Sequence, residues 1–241
     1  MFRAVFFDMG GTILHSRDIP GIDFKSFDNV RKMLERHGIK VSTDMIAKAY
    51  EEAKKELRKR LPEFIEIDLA ERWVETLRIL DVTADRELAK ECMDAFFSVR
   101  QGIGKVVYFE DFKPTVEMLR ENGLKLGLIS NVDYGIMYFV REIRLYEYFD
   151  TVVFSWQVKW KKPHPRIFQI ALDRLKVKPE ESIMVGDSLR ADVKGAKNIG
   201  MTAVWINRSG NVVNVNELDV KPDYIIKSLK ELEKIIRRKR V

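Results

Sequence analysis

The sequence predicts an α/β fold, a doubly wound parallel sheet that carries an inserted, all-helical subdomain. The apolar run at residues 4–7 indicates the first strand, because a short continuous apolar run is typical of a strand buried on both faces. Strand–helix alternation resumes at about residue 108 and continues to the C-terminal region, as in a parallel sheet with right-handed crossovers. Residues 24–101 instead have apolar side chains at helical spacing. We therefore expect a core domain from residues 1–16 and 108–241, and a helical domain from residues 17–107.

The elements of the core follow from apolar runs and from the residues that end them. Gly123 closes one helix, since glycine is common just past a helix C-terminus. The predicted helices span residues 114–122, 134–144, 165–175 and 189–198, with a last helix near the C-terminus. After the first strand, the predicted strands span residues 124–129, 151–154, 182–185, 203–206 and 224–226.

The inserted block is predicted to contain about four helices. Ser42-Thr43-Asp44 is a helix-start signal, and apolar residues follow at helical spacing. No alternating strand pattern occurs in the block. The segments that flank it, residues 14–22 and 102–109, contain Gly21, Gly102 and Gly104 and are expected to act as hinges.

Composition and charge exclude several classes of partner. The net charge is +6, but the basic run at residues 237–240 lies at the end of a predicted helix, where cations suit the helix dipole, so nucleic acid is not expected as a partner. No window of about 20 apolar residues exists, so no membrane contact is expected. The single cysteine, Cys92, suits a reducing, cytoplasmic environment. The charged fraction of 33% is compatible with heat adaptation. Monomer and homodimer both remain open.

Polar side chains follow three of the predicted strands directly. Asp8, Ser130 and Asp187 each come straight after an apolar run, and a Lys162-Pro163 pair lies between the last two. Ligands of doubly wound sheets bind beyond the carboxyl ends of the strands. Any one of these residues alone is compatible with a simple turn, but three strand ends in this order favour a functional site.

Four motifs carry a family resemblance. They are VFFDMGGT at residues 5–12, LISN at 128–131, KPHPRIF at 162–168 and MVGDSLRADVKGA at 184–196. In this order and spacing they resemble the four motifs of the haloacid dehalogenase (HAD) superfamily, over about residues 1–206. The resemblance implies a Rossmann-like core, with the helical block as a cap domain between the first and second motifs.

The resemblance implies a magnesium-dependent hydrolase with a nucleophilic aspartate. Asp8 would attack the substrate, and Lys162 would neutralise charge between the two anions. Mg²⁺ prefers hard oxygen ligands, which the Asp8 and Asp187 carboxylates and the Gly10 carbonyl would supply. Asp192, one helical turn further on, would hold metal-bound waters or orient the lysine.

Three further residues are implied to bind the substrate phosphate or to support the site. Ser130 would donate its hydroxyl to a phosphoryl oxygen, with Asn131 beside it. Thr12 closes the first motif, and its expected effect is to stabilise the first loop.

One position departs from the pattern of HAD phosphatases. They usually have a second aspartate, the general acid, two residues after the nucleophile, and here that position is Gly10. Dehalogenases of the family also lack this acid, but their fourth motif is not the metal-binding Gly-Asp-Ser found here. His15 and Asp18 are the candidates for a substitute acid, and for each of them a purely structural role stays open at this point.

Three functions therefore remain open. The first is a phosphatase acting on a small phosphorylated metabolite through an aspartyl-phosphate. The second is a different HAD reaction, either 2-haloacid dehalogenation or cleavage of an activated phosphate or phosphonate. The third is a catalytically degenerate HAD protein that binds a ligand. Substrate identity is not fixed by any of these residues.

Overall fold

The computed structural model describes residues 1–16, 20–83, 85–99, 106–140, 143–210 and 220–238. The chain divides into two compact units. The first unit contains Met1–Ser16, Val106–Asn131 and Ile143–Val241. The second contains Arg17–Lys105 and Val132–Glu142. The grouping differs from the predicted domains in two places: Val106 and Val107 belong to the first unit, and Val132–Glu142 belongs to the second.

The strands of the described residues, in chain order, are β1 (Ala4–Phe7), β2 (Leu14–Ser16), β3 (Val106–Tyr108), β4 (Lys125–Ser130), β5 (Thr151–Phe154), β6 (Ser182–Gly186), β7 (Thr202–Ile206) and β8 (Tyr224–Ile226). The α-helices are α1 (Ile22–Arg36), α2 (Thr43–Arg60), α3 (Leu69–Ile79), α4 (Arg86–Ser98), α5 (Phe112–Glu121), α6 (Ser155–Val158), α7 (Pro165–Leu175), α8 (Lys194–Asn198) and α9 (Leu232–Arg238).

The first unit is built on a six-stranded parallel sheet in the order β5-β4-β1-β6-β7-β8. β1 lies near the centre, and each of its four residues is fully buried, as its apolar sequence predicts. The Phe6 ring packs over β4 at Gly127, where a Cβ would collide with it. The predicted α/β fold class is confirmed.

The second unit is a bundle of α1 to α4 around an aromatic cluster. Tyr50 contacts Trp73 and Phe27, with ring centroids 4.6 Å and 5.5 Å apart. Ser42 and Asp68 accept hydrogen bonds from the first turns of α2 and α3, which fixes where these helices begin. Cys92 is buried in this cluster, and desolvation raises the pKa of its thiol to about 12, so it is a packing residue.

The predicted helix at residues 134–144 does not form as a regular helix in the part that the structure describes. A 3₁₀ turn, Tyr134–Tyr138, begins after Asp133, whose carboxylate accepts a hydrogen bond from the Gly135 amide. Glycine is a poor helix former, and Arg144 has a left-handed φ of 50°, which an α-helix does not accommodate. Residues 141 and 142 lie outside the described residues.

Parts of the two expected hinge segments pair with each other. β2 and β3 form an antiparallel ribbon with His15 opposite Val107. Residues 17–19 and 101–105, including Asp18, Gly102 and Gly104, lie outside the described residues.

Among the helices that the structure describes, none is both long and apolar enough to cross a membrane.

Candidate functional site

The predicted site residues Asp8, Ser130 and Asp187 come together because their strands are neighbours. β1 lies between β4 and β6, and Phe7 pairs with Leu128 on one side and Val185 on the other. The three strands therefore end at nearly the same level. The Asp8 amide continues the ladder by donating to the Val185 carbonyl at 2.9 Å. A polar side chain directly after each apolar run consequently lies at one edge of the sheet.

Lys162 places its positive charge at this edge of the sheet. Its ammonium lies 2.6 Å from Asp8 Oδ1 and 2.7 Å from Asp192 Oδ1, and it donates to the Ile129 carbonyl at 2.6 Å. The lysine side chain is only 1% exposed and that of Asp8 12%. Burial alone would lower the pKa of Lys162, but the two carboxylates outweigh burial and raise it. Lys162 is therefore a permanent charge at Asp8 at neutral pH.

Three carboxyl groups lie close together beside Lys162. Asp8, Asp187 and Asp192 each place one oxygen within 4.8 Å of the others. Burial raises the pKa of Asp187, and the neighbouring charge of Asp8 raises it further. Burial also raises the pKa of Asp192, although Lys162 opposes that shift. Such crowding of carboxylates is relieved when a cation binds between them.

This donor set fits Mg²⁺. It consists of hard carboxylate oxygens, which a small divalent cation prefers over nitrogen or sulfur ligands. Asp187 is exposed at the sheet edge, whereas Asp192 is buried and has both oxygens engaged. One Asp192 oxygen contacts Lys162, and the other accepts from the Ser188 amide at 3.0 Å. Both Asp192 oxygens therefore contact groups of the protein, whereas the Asp187 carboxylate is exposed.

The side chain of Asn131 is hydrogen-bonded to the backbone of Lys162, in the loop that carries this lysine. Its Oδ1 accepts from the Lys162 amide at 2.7 Å, and its Nδ2 donates to the Lys162 carbonyl at 2.9 Å. Both ends of the amide are thus occupied by the backbone of Lys162. The resemblance implies phosphate binding by Asn131, and in the structure its side chain holds the lysine loop instead of facing open space.

The remaining predicted residues differ in how accessible they are. Ser130, at the end of β4, is 3% exposed, and Thr12 is fully buried. The Thr12 hydroxyl is directed to Asp8 Oδ2, at a long distance of 3.5 Å. Gly10 is exposed, and a Cβ built on it meets no heavy atom within 4 Å. His15 is exposed on β2, beside the Phe109 ring.

Two residues that the sequence analysis missed support Asp187. Gly11 has a φ of 70°, and a Cβ there would collide with Asp187 Oδ2, so only glycine allows the first loop to approach this carboxylate. The indole of Trp205 donates to the Asp187 carbonyl at 2.9 Å. The first motif contains Gly11, and its position beside an expected metal ligand is a signal for such close approach. Nothing in the pattern around Trp205 indicates its contact.

The chain matches the family model described as haloacid dehalogenase-like hydrolase over residues 2–200. It is 30% identical to an N-acylneuraminate-9-phosphatase of Mus musculus, over 97% of this chain and 93% of the relative. It is 29% identical to a glyceraldehyde 3-phosphate phosphatase of Pyrococcus furiosus, over 98% of this chain and 93% of the relative. The crystal structure of a 2-haloacid dehalogenase from Pseudomonas syringae pv. Tomato DC3000 superposes with a TM-score of 0.72, at 26% identity and 99% coverage of both chains. The buried lysine–aspartate cluster at the sheet edge and this match over most of the sequence agree, and the chain belongs to the haloacid dehalogenase-like hydrolases.

Proposed function

We propose that this hydrolase is a magnesium-dependent phosphatase that acts on a small phosphorylated metabolite through an aspartyl-phosphate at Asp8. The observation that carries the proposal is the buried contact of Lys162 with Asp8, next to the exposed carboxylate of Asp187. A dehalogenase needs a nucleophilic carboxylate but no cation-binding carboxylate beside it. The extra negative charge at Asp187 is explained if the site binds Mg²⁺ and a phosphate together.

The proposed reaction has two displacements at phosphorus. A carboxylate oxygen of Asp8 attacks the phosphorus, the bond from phosphorus to the ester oxygen breaks, and the leaving alkoxide takes a proton from solvent to become the alcohol; the water of the second step returns one proton to solvent. A water molecule then attacks the same phosphorus, the bond from phosphorus to Asp8 breaks, and inorganic phosphate leaves. The sum is one ester and one water converted to one alcohol and one phosphate, with Asp8 regenerated.

The other residues have supporting roles in this proposal. Lys162 compensates the charge of Asp8 so that an anionic phosphate can approach, and the Ser130 hydroxyl donates to a phosphoryl oxygen. Asn131 and Asp192 hold the lysine, one through its backbone and one through its ammonium. Asp8, Asp187 and the Gly10 carbonyl would hold the Mg²⁺ ion. Bound there, the ion would supply positive charge to the phosphoryl oxygens.

The proposed substrate class rests on the curated relatives. Their names designate the 9-phosphate of an N-acylneuraminate and glyceraldehyde 3-phosphate, which are both small phosphorylated metabolites. A screen of phosphate esters, acyl phosphates and 2-haloacids, each with and without Mg²⁺, tests the proposal. Turnover of phosphates that stops when a chelator removes the metal supports it. Halide release that is indifferent to chelator contradicts it.

Replacing Asp187 by Ala is expected to weaken Mg²⁺ binding by more than about 10²-fold and to lower turnover with it, because an exposed metal ligand is lost. Titration calorimetry with Mg²⁺ and the Mg²⁺ dependence of p-nitrophenyl phosphate hydrolysis measure the two effects. Asp173→Ala is the matched control, since the Asp173 carboxylate is also exposed and accepts a hydrogen bond from Gln169 Nε2, on the same helix α7, at 2.8 Å. Equal Mg²⁺ affinity in the two variants would contradict the assignment of Asp187.

Dehalogenation is the second candidate, and Gly10 is the observation that favours it. A halide leaves without a proton, so an enzyme of that class needs no acid at the position of Gly10. The 2-haloacid dehalogenase of Pseudomonas syringae is similar to this chain over its whole length. The 2-haloacid arm of the screen separates the two candidates.

A further inference from the structure

We propose that Arg208 is a positioning residue that fixes the nucleophile loop, residues 8–14, by binding the carbonyl of Thr12. Asp111 holds the arginine in place. This proposal deepens the proposed function, on which its catalytic part rests. Arg208 lies two residues after β7 and has no counterpart among the sequence motifs. All the residues involved belong to the first unit.

The guanidinium of Arg208 donates two hydrogen bonds to each of two partners. Its Nε and Nη2 donate to the Thr12 carbonyl at 3.2 Å and 2.8 Å. Its Nη1 and Nη2 donate to the two carboxylate oxygens of Asp111 at 3.0 Å and 2.9 Å. The plane of the group also lies over the Phe109 ring, with Cζ 3.8 Å from the ring centroid. An arginine held on three sides in this way has one orientation.

Asp111 is itself anchored by the C-terminal part of the unit. Its Oδ2 accepts from the Ser228 hydroxyl at 2.7 Å and from the Leu229 amide at 2.9 Å. Asp111 precedes α5 but makes no side-chain hydrogen bond to that helix, so its carboxylate is used for these distant partners. Burial alone would raise the pKa of Asp111, yet the hydrogen bonds from Arg208, Ser228 and Leu229 outweigh burial and lower it.

The position of the Thr12 carbonyl affects the position of the whole nucleophile loop. Ile13 and Leu14 turn back on the loop, and their amides donate to the Met9 carbonyl at 3.0 Å and 3.2 Å. Thr12 is fully buried, and its hydroxyl is directed at Asp8 Oδ2. A shift of the Thr12 carbonyl therefore moves the short turn that carries both Asp8 and Gly10. A misplacement of about 1 Å in a reacting group costs about 10²-fold in rate.

Lysine cannot replace this arginine. A lysine ammonium is a point charge on a flexible stem, and it lacks the planar fork that bridges a carbonyl and a carboxylate at the same time. Arg208→Lys thus preserves the charge beside Asp111 and removes the rigid connection to Thr12. Arg174→Lys is the matched control, because Arg174 also donates to a backbone carbonyl, that of Val152 in the edge strand β5, at 2.9 Å.

The test combines a kinetic and a structural measurement. Arg208→Lys is expected to lower kcat for p-nitrophenyl phosphate by about 10- to 100-fold, with KM changed by less than about twofold, at a temperature well below its Tm. Amide hydrogen exchange of a peptide covering residues 8–14 is expected to be faster than in the wild type. Arg174→Lys is expected to change neither quantity. Asp111→Asn, which keeps the shape of the side chain but loses the charge that holds Arg208, is expected to act like Arg208→Lys.

The exchange measurement needs no turnover, so it separates this proposal from the proposed function. If the wild type has no phosphatase activity but Arg208→Lys exchanges faster at residues 8–14, the contact between Arg208 and the nucleophile loop is supported. In that case only the proposed function is contradicted. Wild-type exchange there, in either folded variant, overturns the proposal. A lower Tm with unchanged kcat also overturns it, because the arginine would then only stabilise the fold.

Discussion

Asp8→Asn is expected to lower turnover by about 10⁴-fold or more, with a fold indistinguishable from the wild type. An amide oxygen is a far weaker nucleophile than a carboxylate, so no aspartyl-phosphate forms. The change is nearly isosteric, and Lys162 keeps its contacts with Asp192 and with the Ile129 carbonyl, so the buried ammonium is not left without partners. Single-turnover hydrolysis of p-nitrophenyl phosphate and thermal unfolding give the two measurements.

The control for Asp8→Asn tests whether losing a lysine-paired carboxylate elsewhere in the core also lowers turnover. Asp223→Asn removes a carboxylate that is also paired with a lysine, Lys197 at 2.7 Å, but away from the nucleophile loop. It is expected to keep turnover within about twofold. If Asp8→Asn retains a substantial part of wild-type turnover after purification free of wild-type enzyme, Asp8 is not the nucleophile and the whole proposed reaction fails.

Much of the core could be predicted because its strands are short apolar runs with a clear end. Ala4–Phe7 is buried on both faces, so its side chains are all apolar and the first polar residue, Asp8, marks the carboxyl end. The same logic places Ser130 and Asp187 at one edge of a parallel sheet. The order of the strands, which puts β1 between β4 and β6, determines how close the three residues come, and no local pattern contains that order.

The contacts that support the site could not be predicted, because they join distant parts of the chain. Arg208 and Thr12 are separated by 196 positions, and nothing in the sequence around either residue indicates the other. The ribbon of β2 and β3 was missed for a different reason. Each strand has only three residues, too few for an alternating pattern to be distinguished from a loop. The motif implies that Asn131 binds phosphate, but nothing in the sequence around it indicates that its side chain contacts the backbone of Lys162.

Gly10→Asp is expected to raise turnover of alkyl phosphates by about 10²-fold or more while changing p-nitrophenyl phosphate turnover only slightly. An alkoxide is a poor leaving group and needs a proton as the bond to phosphorus breaks, whereas nitrophenolate leaves without one. General acid catalysis contributes about 10²–10⁴-fold where the proton is needed. The wild type, with Gly10 in place of a carboxylate, is accordingly expected to be slow on alkyl phosphates and faster on nitrophenyl and acyl phosphates.

The local structure allows this substitution. Gly10 does not have the left-handed φ that makes its neighbour Gly11 indispensable, and a Cβ at Gly10 has no heavy atom of the described residues within 4 Å. Gly10→Asn is the matched control, since it has the same shape and carries no acid. A gain on alkyl phosphates in Gly10→Asp but not in Gly10→Asn supports the missing-acid interpretation. Equal rates in both variants, or a wild type that already hydrolyses alkyl phosphates as fast as nitrophenyl phosphate, would mean that another group donates the proton, and His15 is then the first residue to replace because it is exposed on the strand that follows the loop.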